Sequence, residues 1–149
     1  ADRFPNFRFL HVVRDGRDMA LSDNQNQRRK HYEAMFGEQA GPRDTPAASA
    51  ELWAAANTQA ADWGETQRGG HYYRLRLEDL CYQPGPTIEG LITWLGLDLG
   101  KDHEARLAAA IETIKTPSSL GRWQQADAAA QRAITAAAET ALDRFGYLS

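Results

Sequence analysis

The stretch Leu10-His11-Val12-Val13-Arg14-Asp15-Gly16-Arg17-Asp18-Met19-Ala20-Leu21-Ser22 decides the fold. Phe7 to Val13 is short, apolar and β-branched at its end, which predicts a buried strand. Arg14 to Gly16 turns the chain, and Gly16 tolerates backbone geometry that other residues resist. From Arg17 the pattern is helical: Met19, Ala20 and Leu21 are apolar and polar residues dominate Asp23 to Lys30. The helix is expected to continue to about Phe36. Ligands of open α/β sheets bind at the carboxyl ends of the strands, so the turn after Val13 is the place to look for a site.

Working outward, Gly37 to Pro46 is a loop by composition. Ala47 to Gln67 is Ala-rich, with Leu52, Ala56, Ala60 and Trp63 near helical spacing, and Gly69-Gly70 closes it. His71 to Leu77 alternates and predicts a second strand, followed by a short turn over Glu78 to Cys81 and a break at Gln83 to Pro86. Helices are expected over Thr87–Leu95, Lys101–Ile114 and about Gln125–Phe145, with Thr116 to Gly121 a loop. Parallel strands need long crossovers, so two strands separated by helices predict a parallel α/β arrangement. The segment is expected to be mostly helical, with only part of a sheet, and to form a single domain over residues 1–149.

Composition narrows the function. Hydrophobic residues at 42% and charged residues at 25% are ordinary for a globular chain. A net charge of −3 argues against general nucleic-acid binding, which needs a broad basic surface. It leaves room for one small anionic ligand, which needs only a few local cations and amides. A lone cysteine, Cys81, excludes an internal disulfide and fits a reducing, cytoplasmic compartment; it has no metal-ligand partners at useful spacing. No apolar run is long enough to span a membrane. Ala1 to Pro5 is not a signal peptide, and without an initiator Met the visible chain is expected to begin inside a longer protein.

The chemistry of residues 14–22 suits an anion. Arg14 can pair with a phosphate in bidentate fashion and Ser22 can donate a hydroxyl bond. A helix N-terminus adds amides and a favourable dipole. The same residues also fit a plain Arg–Asp network at a helix start, with Asp18 near the cap.

Arg14 to Ser22 (RDGRDMALS) resembles the 3′-phosphate-binding motif of the sulfotransferases that use 3′-phosphoadenosine 5′-phosphosulfate (PAPS). The resemblance implies that Arg14 and Ser22 contact the cofactor's 3′-phosphate. Asp15, Arg17 and Asp18 match too, and read as turn and helix-start residues. Tyr72 to Pro84 (YYRLRLEDLCYQP) is similar to a strand and turn of bacterial members. There Glu78 and Asp79 read as structural, with Arg76 a partner. Ser118 to Trp123 (SSLGRW) resembles the family's loop over the adenosine 3′-phosphate. It assigns Ser118, Ser119, Leu120, Gly121 and Arg122 to cofactor binding, while a solvent loop with a packed Trp123 is the plainer reading. Trp53 and Asn57 read as core or polar-bridge residues, the Phe145-Gly146-Tyr147 ending as packing, and His11 as a core histidine.

The resemblance implies a P-loop-like fold and sulfuryl transfer from PAPS to a hydroxyl or amine, with no metal. The acceptor would be a small molecule or carbohydrate. It also implies a Gly-rich loop carrying Lys or Arg for the 5′-phosphosulfate, and the Gly-containing stretches at 37–41, 69–70, 96–100 and 121 do not fit one. The catalytic base is not identifiable. The chain therefore reads as the C-terminal portion of such an enzyme, carrying the 3′-phosphate half. Missing sheet neighbours would leave apolar surface open to homo-oligomer formation. A non-catalytic nucleotide-binding module and a helical partner-binding module are the competing readings.

Overall fold

Val13 hands the chain from a strand to a turn, and the order of elements follows from that junction. The computed structural model describes residues 6–37 and 44–148. The first five residues, and positions 38–43 of the expected loop, lie outside the described residues. The order is β1 (Phe9–Val13), α1 (Gly16–Ala20), α2 (Asn26–Phe36), α3 (Pro46–Arg68), β2 (Tyr72–Arg76), α4 (Leu77–Tyr82), α5 (Pro84–Leu95), α6 (His103–Thr113) and α7 (Ala128–Arg144). Short 3₁₀ turns occupy Gly69–His71, Gly100–Asp102 and Arg122–Gln125. The fold is a mostly helical α/β one. Among the described residues the sheet has two strands, β1 and β2, paired in parallel with Phe9 opposite Tyr72 and Val13 opposite Arg76.

The chain forms two compact units. The first comprises residues 1–13 and 63–117, and holds the sheet, the end of α3, and α4 to α6. Aromatic side chains fill it. Phe9 meets Trp63 edge-on at 5.6 Å and Tyr72 at 5.5 Å, and His11 Nδ1 lies 2.9 Å from the Tyr72 hydroxyl. His11 is thus a buried histidine with a partner, as its place on the strand predicted. Tyr73 packs on Trp94 at 5.2 Å, and Trp94 Nε1 donates to the Gly70 carbonyl at 2.9 Å. The Thr87 hydroxyl donates to the Asp79 carbonyl at 3.0 Å and so ties α5 to α4. The strand is not buried throughout, contrary to expectation. Val13 is fully buried, but Leu10 and Val12 stay 39% and 52% exposed. Parallel strands are normally covered on both faces; here the face shared by Leu10 and Val12 is open on β1, while their partners on β2 are covered, Tyr73 by Trp94 and Leu75 at 5% exposure.

The second unit comprises residues 14–62 and 118–149, with α1, α2, most of α3, and α7. Trp53 is its centre: it is 2% exposed and meets Phe145 at 5.7 Å and Tyr147 at 6.2 Å, both edge-on. Ile134, Ala138, Ala141 and Leu142 present the buried stripe of α7, whose N-cap Asp127 accepts from the Ala130 amide. Tyr32, Ala48 and Leu52 form a second cluster, flanked by Met35 and Phe36.

Local hydrogen bonding explains where the expected elements shift. The helix expected from Arg17 to Phe36 is broken after Ala20. The Asn24 amide donates to Ser22 Oγ at 3.3 Å, the Asn26 amide to Asn24 Oδ1 at 3.1 Å, and Gln25 Nε2 to the Ala20 carbonyl at 3.3 Å. Such side-chain bonds offer the backbone an alternative to the helical ladder. The expected turn at Glu78 to Cys81 is helical because Glu78 and Asp79 occupy the first turn of α4, where acidic groups favour the dipole. Pro84 opens α5 at a position where its missing N–H costs nothing, so the expected break at Gln83 to Pro86 is a single residue, Gln83.

Two glycines carry this packing. A Cβ on Gly16 would lie 2.3 Å from the Trp53 ring, and one on Gly64 2.3 Å from the Tyr72 ring. Each Gly→Ala substitution is expected to cost about 1–3 kcal/mol in urea unfolding, as overpacking does. Gly70→Ala, with nothing within 4 Å of the new methyl, should stay within about 0.5 kcal/mol of the parent.

Candidate functional site

Asp15 starts the site. It caps α1 (φ −51°, ψ 119°), and its Oδ1 accepts the Arg17 amide at 2.9 Å. A cap at this position satisfies one of the four free amides of a helix start. The Arg17 side chain folds back onto the same carboxylate, with Nε 3.0 Å from Oδ1 and Nη2 2.7 Å from Oδ2. Both residues are buried, and Arg17 Nη2 also donates to the Tyr147 carbonyl at 2.8 Å. Its guanidinium stands 3.7 Å from the centre of the Trp123 ring. A paired, stacked guanidinium is one of the few ways to bury this charge cheaply.

Asp18 sits one turn in and is 1% exposed. Its Oδ2 accepts the Gly121 amide at 2.7 Å and its Oδ1 the Trp123 amide at 3.1 Å. Gly121 adopts a left-handed conformation (φ 76°, ψ 8°) immediately before the 3₁₀ turn. That sequence of conformations turns alternate amides toward one point and makes an anion-binding concavity. The anion held there is Asp18's own carboxylate.

Arg14 closes the arrangement. Its Nη2 donates to the Ser119 carbonyl at 2.6 Å and Ser119 Oγ at 3.0 Å, and lies 3.4 Å from Asp18 Oδ2. The side chain is 25% exposed, and its Nε is buried with no hydrogen-bond partner among the described residues. Arg122 Nη1 reaches the Leu21 carbonyl at 3.3 Å, next to Ser22. Three arginines thus surround two aspartates, Arg17 neutralises Asp15, and the remainder carries a surplus of positive charge.

The two segments singled out in the sequence therefore lie together. Arg14 meets Ser119, and Arg122 meets the end of α1, across 105 and 101 positions of chain. Ser22 is half-buried, and its hydroxyl accepts the Asn24 amide. Ser118 is exposed and Leu120 half-buried. The amide of Gly121 is not open to a ligand, since Asp18 takes it. Sequence reasoning missed that Asp18 and Arg17 reach the later loop. The doubled Arg-Asp pattern of RDGRD marked charge pairing but not its partners. Away from this cluster, Asp79 lies 3.9 Å from Arg76, a structural pairing as expected. Among the described residues no group of three or more His, Cys, Asp or Glu is placed to hold a metal.

The sequence model described as the sulfotransferase family matches residues 1–102, about two thirds of the chain. The chain belongs to the sulfotransferase family. No curated protein and no solved structure matches it significantly. In this sulfotransferase-family chain the matched region includes Arg14 to Ser22 and stops before Ser118 to Trp123. The second segment is linked to the first by geometry.

Replacing Arg17 by Ala leaves Asp15 buried without its counter-charge. Denaturant unfolding should show a loss of about 3–5 kcal/mol. Arg17→Lys should recover only part of it, because an ammonium cannot pair in two places and stack as well.

Proposed function

We propose that this sulfotransferase-family chain grips the 3′-phosphate of PAPS, the donor in a transfer of a sulfuryl group to a hydroxyl or amine. The carrying observation is the meeting of Arg14 with Ser119, on a turn that also brings Arg122 to the end of α1. Two half-buried guanidiniums and two hydroxyls, from Ser22 and Ser119, suit the doubly charged, multiply accepting phosphate group. Ser118, Leu120 and Gly121 belong to the same loop and would shape it around the ligand. In this reading the fold is P-loop-like, and the chain is the C-terminal part of a single bacterial-type, cytoplasmic domain. No helix among the described residues is long and apolar enough to cross a membrane.

The reaction itself is a displacement at sulfur. The bond from sulfur to the donor's phosphate oxygen breaks and a bond to the acceptor oxygen or nitrogen forms. The acceptor proton passes to a base, and adenosine 3′,5′-bisphosphate leaves. In-line placement and stabilisation of the leaving oxygen supply the rate. The residues named here act at the other end of the nucleotide. Their contribution is binding and orientation, which fixes the donor while the reacting end is engaged elsewhere.

A second reading has its own support. Every candidate contact serves the 3′-phosphate end, which equally fits a nucleotide-binding module without turnover. Release of adenosine 3′,5′-bisphosphate from PAPS in the presence of acceptor separates the two.

Calorimetry with adenosine 3′,5′-bisphosphate tests what both share. Arg14→Ala should weaken binding by about 1.5–3 kcal/mol, the range for hydrogen bonds to a charged group. Ser22→Ala should cost about 0.5–1.5 kcal/mol. Unchanged affinity in Arg14→Ala would exclude this site.

A further inference from the structure

We infer that Asp18 is a positioning residue, which sets selectivity for 3′-phosphorylated nucleotides by holding the Ser118–Trp123 loop against α1. The inference rests on the 3′-phosphate reading above and assigns a role to a residue that touches no ligand in it. The concavity formed at Gly121 would ordinarily be free to bind an anion. Here both of its amides end on Asp18, at 2.7 and 3.1 Å, and that carboxylate is sealed from solvent. The two amides therefore work as the loop's anchor. The same loop carries Ser119 to Arg14 and Arg122 to the Leu21 carbonyl, and their placement depends on the anchor holding.

A second clamp points the same way. Arg17 stacks on Trp123 at 3.7 Å and is itself fixed by Asp15 and the Tyr147 carbonyl. The loop is held by its amides at one end and by its indole beside them. Without the carboxylate, Gly121 and Trp123 would keep two amides with no acceptor. The turn would open to find water, carrying the Ser119 carbonyl away from Arg14. Arg14 would then gain freedom, and the ligand would have to order it again on binding.

The test compares adenosine 3′,5′-bisphosphate with adenosine 5′-phosphate by calorimetry on the wild-type chain, Asp18→Asn and Gly121→Ala. Asparagine keeps the shape but turns a donor toward an amide donor. Gly121→Ala leaves α1 intact and strains the loop at φ 76°. In both variants affinity for the bisphosphate should drop about tenfold or more, and affinity for the 5′-phosphate should stay within about twofold. Equal loss for both nucleotides would mean a merely structural role and overturn the inference. A second measurement is hydrogen exchange at the Gly121 and Trp123 amides. It should be slow in the wild type and fast in Asp18→Asn, and fast exchange in the wild type would also overturn it. A wild-type chain with no preference for the bisphosphate sinks the 3′-phosphate reading and this inference with it. A wild-type preference kept in both variants sinks the role of Asp18 alone.

Discussion

A buried carboxylate that must be satisfied organises this molecule's second unit. Asp18 is 1% exposed, and an unpaired charge at that depth would cost several kcal/mol. Among the described residues three donors reach it: the amides of Gly121 and Trp123, and the more distant Arg14 guanidinium. Two of them come from a segment more than a hundred residues away in the chain. The demand of one side chain for donor partners thus fixes where a distant loop folds. It also matches the loop's conformation, because a left-handed residue followed by a helical turn aims two amides at one carboxylate. Glycine at 121 supplies that conformation without steric cost.

Neighbouring charges are settled differently. Asp15 and Arg17 form a closed pair, with the guanidinium bidentate on the carboxylate, donating to a carbonyl and stacked on an indole. Two of the three Arg17 nitrogens are committed in this way. Arg14 contrasts with it. Its ion pair with Asp18 is long at 3.4 Å, and Asp18's stronger bonds go to amides. The alternation Arg-Asp-Gly-Arg-Asp therefore divides labour. The second arginine closes on a carboxylate, and the first gives its shorter bonds to Ser119.

The strand–turn–helix of residues 9–20 was legible because its signals are local: β-branching, a Gly turn, and an apolar run after a polar one. The parallel pairing of β1 and β2 followed from the length of chain between them. The break after Ala20 was not legible, because Ser22, Asn24 and Gln25 are all tolerated in helices. Their side chains favoured the backbone's alternative only once folded. Trp53 was placed correctly as packing, while Trp63, on the same apolar spacing, is 42% exposed. Within the candidate site, Arg14, Ser22 and Ser118 to Arg122 were named from a motif, and the motif carried no information on what each touches. Sequence spacing cannot reveal that Gly121's amide is already occupied, since its partner lies 103 positions earlier.

The energetics of Arg14 bear directly on the functional reading. A guanidinium offers five N–H donors, and here one terminal nitrogen makes all three of its observed contacts. Its Nε is buried and has no partner among the described residues. A buried donor without an acceptor costs about 1–3 kcal/mol. A packed structural arginine would be expected to close its fork on a carboxylate, as Arg17 does two residues on. Arg14 instead holds the loop with one nitrogen, and among the described residues its Nε has no partner. An incoming anion that accepted from that donor would remove the penalty as it bound. On the proposed reading, that demand would favour a phosphate beside Arg14.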